Sequence, residues 1–319
     1  MGGPPTLVEF DEGASRFWHG AFFYAGDAEF VDGVGRFLQA GLDAGDPMLV
    51  VVAAEKIGWL RDHLGNDAGA IQFADMAEVG RNPGRIIGYW YDFMNEHGAG
   101  HTPRGVGEPV FPSRSAAELA ECNQHEALLN TAFDGGLPWW LLCPYDTTAL
   151  APEVLDDARR NHPELVQDGA LLESPVYIED RIHAMIDAPL PEPHATLLER
   201  DIQVEDLGSL RRAVRALAEG AGMDPRRAAD LVIAVNELAS NSLRHGGGGG
   251  WLRCWQEGTS IVCEVADRGR IADPLVGRSR PSAKQAGGRG VWMVHDLCDL
   301  VQLRTAESGT VVRVHSHLP

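Results

Sequence analysis

Residues 230–246, Asp-Leu-Val-Ile-Ala-Val-Asn-Glu-Leu-Ala-Ser-Asn-Ser-Leu-Arg-His-Gly, constrain the chain more than any other stretch. At helical spacing Leu231, Val235 and Leu238 recur at i, i+4 and i+7, and Val232, Ala239 and Leu243 extend the apolar surface beside them. Ala234, Glu237, Asn241 and His245 form a separate stripe at steps of three and four. A carboxylate, an amide and an imidazole therefore stand one above another on a mostly apolar helix. Asp224-Pro225 starts it, with Asp at the N-cap and Pro at the first helical position. The glycine run Gly246–Gly250 ends it. On its own the stretch reads equally as a solvated polar face closed by a glycine cap.

The surrounding residues predict a two-layer α/β sandwich. Leu197–Val204 alternates as a strand, and Asp206–Gly220 reads as a helix capped by Asp206 with Leu210, Val214 and Leu217 inward. Trp251–Gln256 and Ser260–Ala266 form one hairpin through Glu257-Gly258-Thr259. Leu300–Thr305 and Thr310–His317 form another through Glu307-Ser308-Gly309. Val265-Ala266-Asp267-Arg268-Gly269 closes a strand, and Gly287-Gly288-Arg289-Gly290 opens the apolar helical run Val291–Leu297. Between them, Ile271–Gly287 is polar, bears glycine and reads as a lid.

Upstream, apolar runs alternate with helical patterns. Strands are expected at 18–24, 48–53, 70–73, 106–111 and 139–143. Helices are expected at 28–42, 57–64, 83–97, 113–133 and 152–161. Met48–Ala53 is apolar throughout, as a strand buried on both faces requires. The pattern predicts a parallel sheet covered on both sides, a three-layer domain. Polar residues fall at strand ends, where such sheets hold ligands: Asp27, Asp75, Glu108, Tyr145 and Asp146. The long helix places Glu118, Cys122 and His125 on one face, with Glu126 and Asn130 beside it. Cys122 and His125 supply only two ligands where zinc takes three or four, so packing polars or a small-ligand site remain open readings. The chain contains no P-loop motif. The stretch 187–194 carries three prolines and marks the boundary, giving a first domain at 14–185, a linker at 186–195 and a second domain at 196–319.

Lys+Arg 27 against Asp+Glu 46 gives a net charge of −19. So acidic a chain argues against direct contact with nucleic acid and for a basic protein partner. Its start has neither a basic nor an apolar leader region, and no run approaches membrane-spanning length. The five cysteines show no paired spacing, which predicts reduced thiols and a cytoplasmic setting.

Glu237-x-x-x-Asn241, then Asp267-x-Gly269, then Gly288-x-Gly290 resembles in its order the ATP-binding fold of the GHKL superfamily over residues ~200–319. Asn-Glu-Leu-x-x-Asn-x-x-Arg-His-Gly (236–246) and Gly-Arg-Gly-x-Trp-x-Val (288–294) are similar to its anti-sigma-factor serine kinase branch. The resemblance implies ATP and Mg²⁺. Asp267 would accept from the adenine amine beside Gly269, with Thr310 as a second adenine-side contact. Gly288 and Gly290 would bind phosphate, aided by Lys284 and Arg289. Asn241 would be the magnesium ligand and Glu237 the catalytic base. The implied partners are a sigma factor and a small anti-anti-sigma antagonist. A non-enzymatic ATP-binding switch and a sensor histidine kinase remain alternatives.

The first domain resembles the MEDS sensory domain, a relative of RecA-like ATPase folds that lacks their Walker motif. The residues that carry this are His19-x-x-x-x-Tyr24, Gly107-Glu108-Pro109, the run Glu118-Leu119-x-x-Cys122-x-x-His125-Glu126-Ala127-Leu128-Leu129-Asn130, and Leu142-Cys143-Pro144-Tyr145-Asp146. The resemblance implies a sensory role for a small-molecule signal. His19, Glu108, Glu118, Cys122, His125, Glu126, Tyr145 and Asp146 are its candidate site residues. A homodimer is compatible with this organisation.

Overall fold

The computed structural model describes residues 16–167, 170–281 and 288–319. The chain divides into two compact units, residues 1–181 and 182–319.

The first unit runs β1 (Trp18–Tyr24), α1 (Asp27–Ala44), β2 (Met48–Val52), α2 (Ala54–Leu64), β3 (Gln72–Asp75), α3 (Met76–Val79), α4 (Ile86–His97), β4 (Arg104–Gly107), α5 (Ala116–Phe133), β5 (Trp140–Asp146), α6 (Pro152–Asn161), β6 (Glu164–Gln167) and β7 (Ala170–Glu173). The strands lie in the order β3-β2-β4-β5-β1-β6-β7. All neighbours are parallel except β6 and β7, which form an antiparallel hairpin at one edge. Alternate residues Phe22, Tyr24, Met48, Val50, Val52 and Leu142 pack against Phe30, Val34 and Leu38 of α1 and Leu60 of α2. The opposite parity, Ala21, Phe23, Leu49, Val51, Leu141 and Cys143, is buried as well. With both faces covered, the strands have to be apolar throughout, which is why β2 shows no alternation.

The structure departs from the sequence expectation by an added hairpin and by shifted element ends. The β6–β7 hairpin was not expected: its strands have four residues each and all of β7 is exposed, so no burial pattern marks it. The strand expected at 106–111 stops at Gly107, because Pro109 and Pro112 cannot donate to a ladder. The helix expected from Pro83 opens as a 3₁₀ turn over Pro83–Arg85, where the Asn82 side chain accepts from the Gly84 amide. α5 starts on a reciprocal cap: the Ser115 hydroxyl accepts from the Glu118 amide, and the Glu118 carboxylate accepts from the Ser115 amide.

The second unit opens with α7 (Arg181–Asp187), whose first residue is the last of the first unit. It comprises β8 (Leu198–Ile202), α8 (Leu207–Gly220), α9 (Pro225–His245), β9 (Gly250–Glu257), β10 (Ser260–Asp267), α10 (Arg289–Leu297), β11 (Leu300–Ala306) and β12 (Gly309–His317). The sheet order is β11-β12-β10-β9-β8, antiparallel throughout. α9 lies between α8 and α10 and packs on β9 and β10. Its buried face is Leu231, Val232, Ala234, Val235, Leu238, Ala239 and Ser242. Arg227, in its first turn, pairs with the buried carboxylate of Asp299 and reaches Ser316 Oγ at 3.2 Å. That contact ties the start of α9 to β12 and to the turn before β11.

Asp206 does not cap α8 as expected. A 3₁₀ turn over Val204–Asp206 precedes the helix, Asp206 is already in helical conformation, and its carboxylate makes no cap bond. The sheet face away from α9 carries Glu264, 1 % exposed, between two guanidiniums: Arg253 Nε at 2.7 Å and Arg313 Nη2 at 2.7 Å. The same arginines hold the proline-rich stretch, Arg313 Nη2 donating to Pro191 O at 2.8 Å and Arg253 Nη1 to Glu192 Oε2 at 2.5 Å. Among the described residues no helix is long and apolar enough to cross a membrane.

Asp224 accepts from the Arg226 and Arg227 amides at 2.9 and 3.3 Å, satisfying two donors that the helix cannot. Asp224→Ala is therefore expected to cost about 1 kcal/mol, read as a lower denaturant midpoint for the transition of the second unit.

Candidate functional site

The site in the second unit is built where α9 ends, β10 ends and α10 begins. Asp267 closes β10 opposite Thr310 of β12. Its Oδ2 accepts from Ser242 Oγ at 2.5 Å and its Oδ1 from the Gly269 amide at 2.8 Å. Each carboxylate oxygen has two acceptor positions, so the group is held in place with one position per oxygen to spare. Thr310 Oγ1 donates to Gly269 O at 2.9 Å and lies 3.0 Å from Thr305 Oγ1, which in turn accepts from the Ile271 amide at 3.1 Å. These bonds fix the path of the chain past Gly269.

Glycine is required around this carboxylate. A β-carbon at Gly246 would stand 2.4 Å from Asp267 Cγ, and one at Gly309 2.0 Å from Asp267 O. One at Gly269 would meet the His245 carbonyl at 2.6 Å. Bare backbone therefore borders the acceptor, as close approach of a flat ligand needs.

α10 opens on Gly288 in left-handed conformation, with Arg289 exposed as its first residue. The amides of a first helical turn have no intrahelical partner and bind anions. A β-carbon at Gly290 would lie 3.0 Å from Glu237 Oε2 and 3.4 Å from Asn241 Nδ2. The structure thus brings the half-buried Glu237 and Asn241 of α9 against the open end of α10. Asn241 offers an oxygen of the type magnesium prefers, and the glycine-lined acceptor and free amides fit a purine nucleotide and its phosphates. His245 sits exposed beside this set at the end of α9. Lys284 and the end of the expected lid lie outside the described residues. Ser242, Gly246 and Gly309 were missed in the sequence. Ser242 lies on the buried face of α9, off the polar stripe, and only the fold shows that it meets Asp267.

The first unit does not assemble its candidates as one site. Glu118 is taken up by the cap at Ser115 and by Arg114 at 3.2 Å, which with the cap bonds holds its carboxyl below the usual range despite partial burial. Cys122 Sγ donates to Pro109 O at 3.3 Å, and burial pushes this thiol up to about 12. His125 is buried. Asp146 accepts from the amide and hydroxyl of Thr148, shaping a turn. Glu108 Oε1 accepts from Tyr24 Oη at 2.7 Å and from Lys56 Nζ at 2.6 Å, and Lys56 Nζ also donates to Tyr24 Oη at 2.5 Å. Burial is the main cause that raises the Glu108 carboxyl, against the pull of Lys56. Lys56 went unmarked in the sequence because it lies in the first turn of α2 among ordinary helix residues.

His19 and Glu126 do meet, at 3.2 Å, together with two residues outside the candidate set, Cys143 and His162. Tyr145 packs edge-on against the His162 ring, 5.6 Å between centroids. Two cavities flank this cluster. One of about 360 Å³ is lined by His19, Asn130, Asn161, Tyr177 and Arg181, and one of about 310 Å³ by Asn123, Glu126, Tyr145, Asp157 and Asn161.

Residues 18–163 match the family model described as MEDS, MEthanogen/methylotroph, DcmR Sensory domain. Residues 202–315 match the Histidine kinase-like ATPase domain. A search of curated proteins finds no significant match. Among solved structures, the RsbU and RsbW domains of Rv1364c from Mycobacterium tuberculosis share 20% identity over 40% of this chain and 33% of theirs, with a TM-score of 0.30. The histidine kinase AdeS of Acinetobacter baumannii shares 15% identity over 38% of this chain and 68% of its own, with a TM-score of 0.25. The chain thus spans a third of the length of the first of these.

The crowding at Asp267 sets a test. Gly246→Ala is expected to displace the Asp267 carboxylate and cost roughly 1–3 kcal/mol, as overpacking does. Gly220→Ala, at the end of α8 with nothing within 4 Å of its β-carbon, is expected to be neutral or stabilising by about 0.4–1 kcal/mol. Denaturation midpoints of the two variants check the contrast. By its matches and its fold, the chain carries a MEDS domain at residues 18–163 and a GHKL-type, histidine kinase-like ATPase domain at residues 202–315.

Proposed function

We propose that the protein is an anti-sigma-factor kinase: its second unit binds Mg·ATP, holds a sigma factor, and phosphorylates a serine or threonine of a small anti-anti-sigma antagonist, under control of the sensory first unit. One observation carries the catalytic part. The β-carbon position of Gly290, at the anion-binding end of α10, faces Glu237 Oε2 at 3.0 Å. A carboxylate beside the place where terminal phosphate would sit is suited to take the proton of an attacking hydroxyl.

In this reading Asp267 accepts from the adenine amine, and Gly269 and Thr310 shape the surface around the base. Gly288, Arg289 and Gly290 receive the phosphates, with Lys284 as a further cation. Asn241 holds the magnesium, which when bound neutralises phosphate charge. The partner assignment rests on the motifs at 236–246 and 288–294 and on the net charge of −19, which favours a basic partner surface. A sensor histidine kinase would place a phosphoacceptor histidine on a helical hairpin ahead of the ATPase domain. Here a seven-stranded α/β unit stands there.

Asp267→Asn is expected to weaken ATP binding by about 1.5–3 kcal/mol, the range for a hydrogen bond to a charged group. Calorimetry on folded protein checks this, and unchanged affinity removes Asp267 from the adenine contact. Glu237→Ala is expected to retain ATP and sigma-factor binding while phosphoryl transfer to the antagonist falls roughly 10²–10⁴-fold. Asn241→Ala is expected to lose Mg·ATP binding and transfer together. Equal loss of ATP affinity in both variants would assign Glu237 to the magnesium shell. Full transfer by Glu237→Ala would remove it as base, and absence of transfer by the unaltered protein would leave a nucleotide-dependent switch.

A further inference from the structure

Four side chains from four parts of the first unit converge in its interior: His19 of β1, Glu126 of α5, Cys143 of β5, and His162, which follows α6. All four are buried, none more than 1 % exposed. Their nearest ligand-type atoms all lie within 4.8 Å of one another. His19 Nε2 is 3.2 Å from Glu126 Oε2, His162 Nε2 is 3.3 Å from the same oxygen, and Cys143 Sγ is 3.4 Å from His19 Nε2.

Those three separations match edges of a coordination tetrahedron, and the other three pairs lie within 4.8 Å. Zinc bonds of about 2.0–2.1 Å to nitrogen and oxygen and about 2.3 Å to sulfur place neighbouring ligand atoms about 3.3–3.6 Å apart at tetrahedral angles. The imidazoles are also set for metal. His162 Nδ1 donates to Ala158 O at 2.8 Å, and His19 Nδ1 donates to Asn130 Oδ1 at 3.0 Å. The Asn130 amide is oriented in turn by its Nδ2, which donates to Asn161 O at 2.8 Å. Both rings therefore turn the Nε2 lone pair inward, the arrangement that carbonyl partners impose on metal-binding histidine. Two lone pairs then face one carboxylate oxygen, acceptors against acceptor. His162 Nε2 makes no hydrogen bond, although it is fully buried.

We propose that His19, Glu126, Cys143 and His162 bind one zinc ion as a closed, tetrahedral structural site in the sensory unit. Charge supports zinc at this depth. Binding releases the Cys143 proton to solvent, and the thiolate and the Glu126 carboxylate cancel the dication, so the loaded site is neutral. The rival is a proton shared between an imidazole and Glu126. Both rings already place their Nδ1 proton on an oxygen acceptor, Ala158 O and Asn130 Oδ1, so that rival needs an additional proton in the core. Four protein ligands leave no open position for a substrate, so the ion would join β1, β5, α5 and the chain after α6.

The full-length protein, purified without chelators, is expected to contain one zinc per chain by elemental analysis. Exchange for cobalt(II) is expected to give the visible bands of a tetrahedral ion and a thiolate-to-cobalt absorption. In Cys143→Ser the thiolate absorption disappears, while Cys254→Ala, in the other unit, keeps it. Asn130→Ala keeps the spectrum but binds zinc about 10–100-fold more weakly, as loss of an orienting partner does. Folded protein that takes up neither zinc nor cobalt stoichiometrically overturns the proposal, and so does tetrahedral cobalt without thiolate absorption. Should Cys143→Ser fail to fold, the cobalt spectrum of the unaltered protein decides alone.

Discussion

The second unit depends on one hydrogen bond between a helix and a strand end. Ser242, on the buried face of α9, donates to Asp267 at the end of β10. The contact sets how far α9 lies from the sheet at its carboxyl end, and it fixes the direction in which the carboxylate faces. Gly246, Gly269 and Gly309 follow from it, since each has to leave room for Asp267 or for the backbone beside it. At the other end of the helix, Arg227 and Asp299 do the corresponding work. Between these anchors the polar stripe of Glu237 and Asn241 is presented to α10 with little freedom to shift.

Most of this unit was legible in the sequence, because its elements obey local rules. Asp224-Pro225 announces α9, the apolar positions of α9 recur at helical spacing, and two short glycine-bearing turns mark the hairpins. Asp206 shows where local rules fail: an acidic residue before a helix is a cap only if its backbone stays extended, and here a 3₁₀ turn has already curled it. Ser242 and Gly309 were illegible for a different reason. Their roles exist only across contacts between elements distant in the chain, and nothing in spacing along one element encodes them.

In the first unit the same distinction separates what was read from what was missed. Strands buried on both faces are visible as apolar runs, so the parallel sheet could be expected. The candidate site could not be assembled from one helix. Glu118, Cys122 and His125 share a face of α5 by periodicity, yet the helix start consumes Glu118, and Cys122 bonds to the Pro109 carbonyl. The residue of this helix that meets His19 of β1 is Glu126, one position along from His125. His162 carried no signal, since it falls just past the end of a helix, where a histidine is an ordinary terminating residue.

The proline-rich stretch has a consequence for where the second unit begins. Its composition reads as a tether, but Pro191 and Glu192 are fastened to Arg313 and Arg253 on the sheet face away from α9. Around Glu264 the two cations are matched by two anions, one supplied by this stretch. A fragment trimmed to the first strand would keep every residue of the sheet and lose that anion. It would carry an unbalanced positive patch. The autonomous unit therefore starts before its first strand, and the prolines belong to its shell.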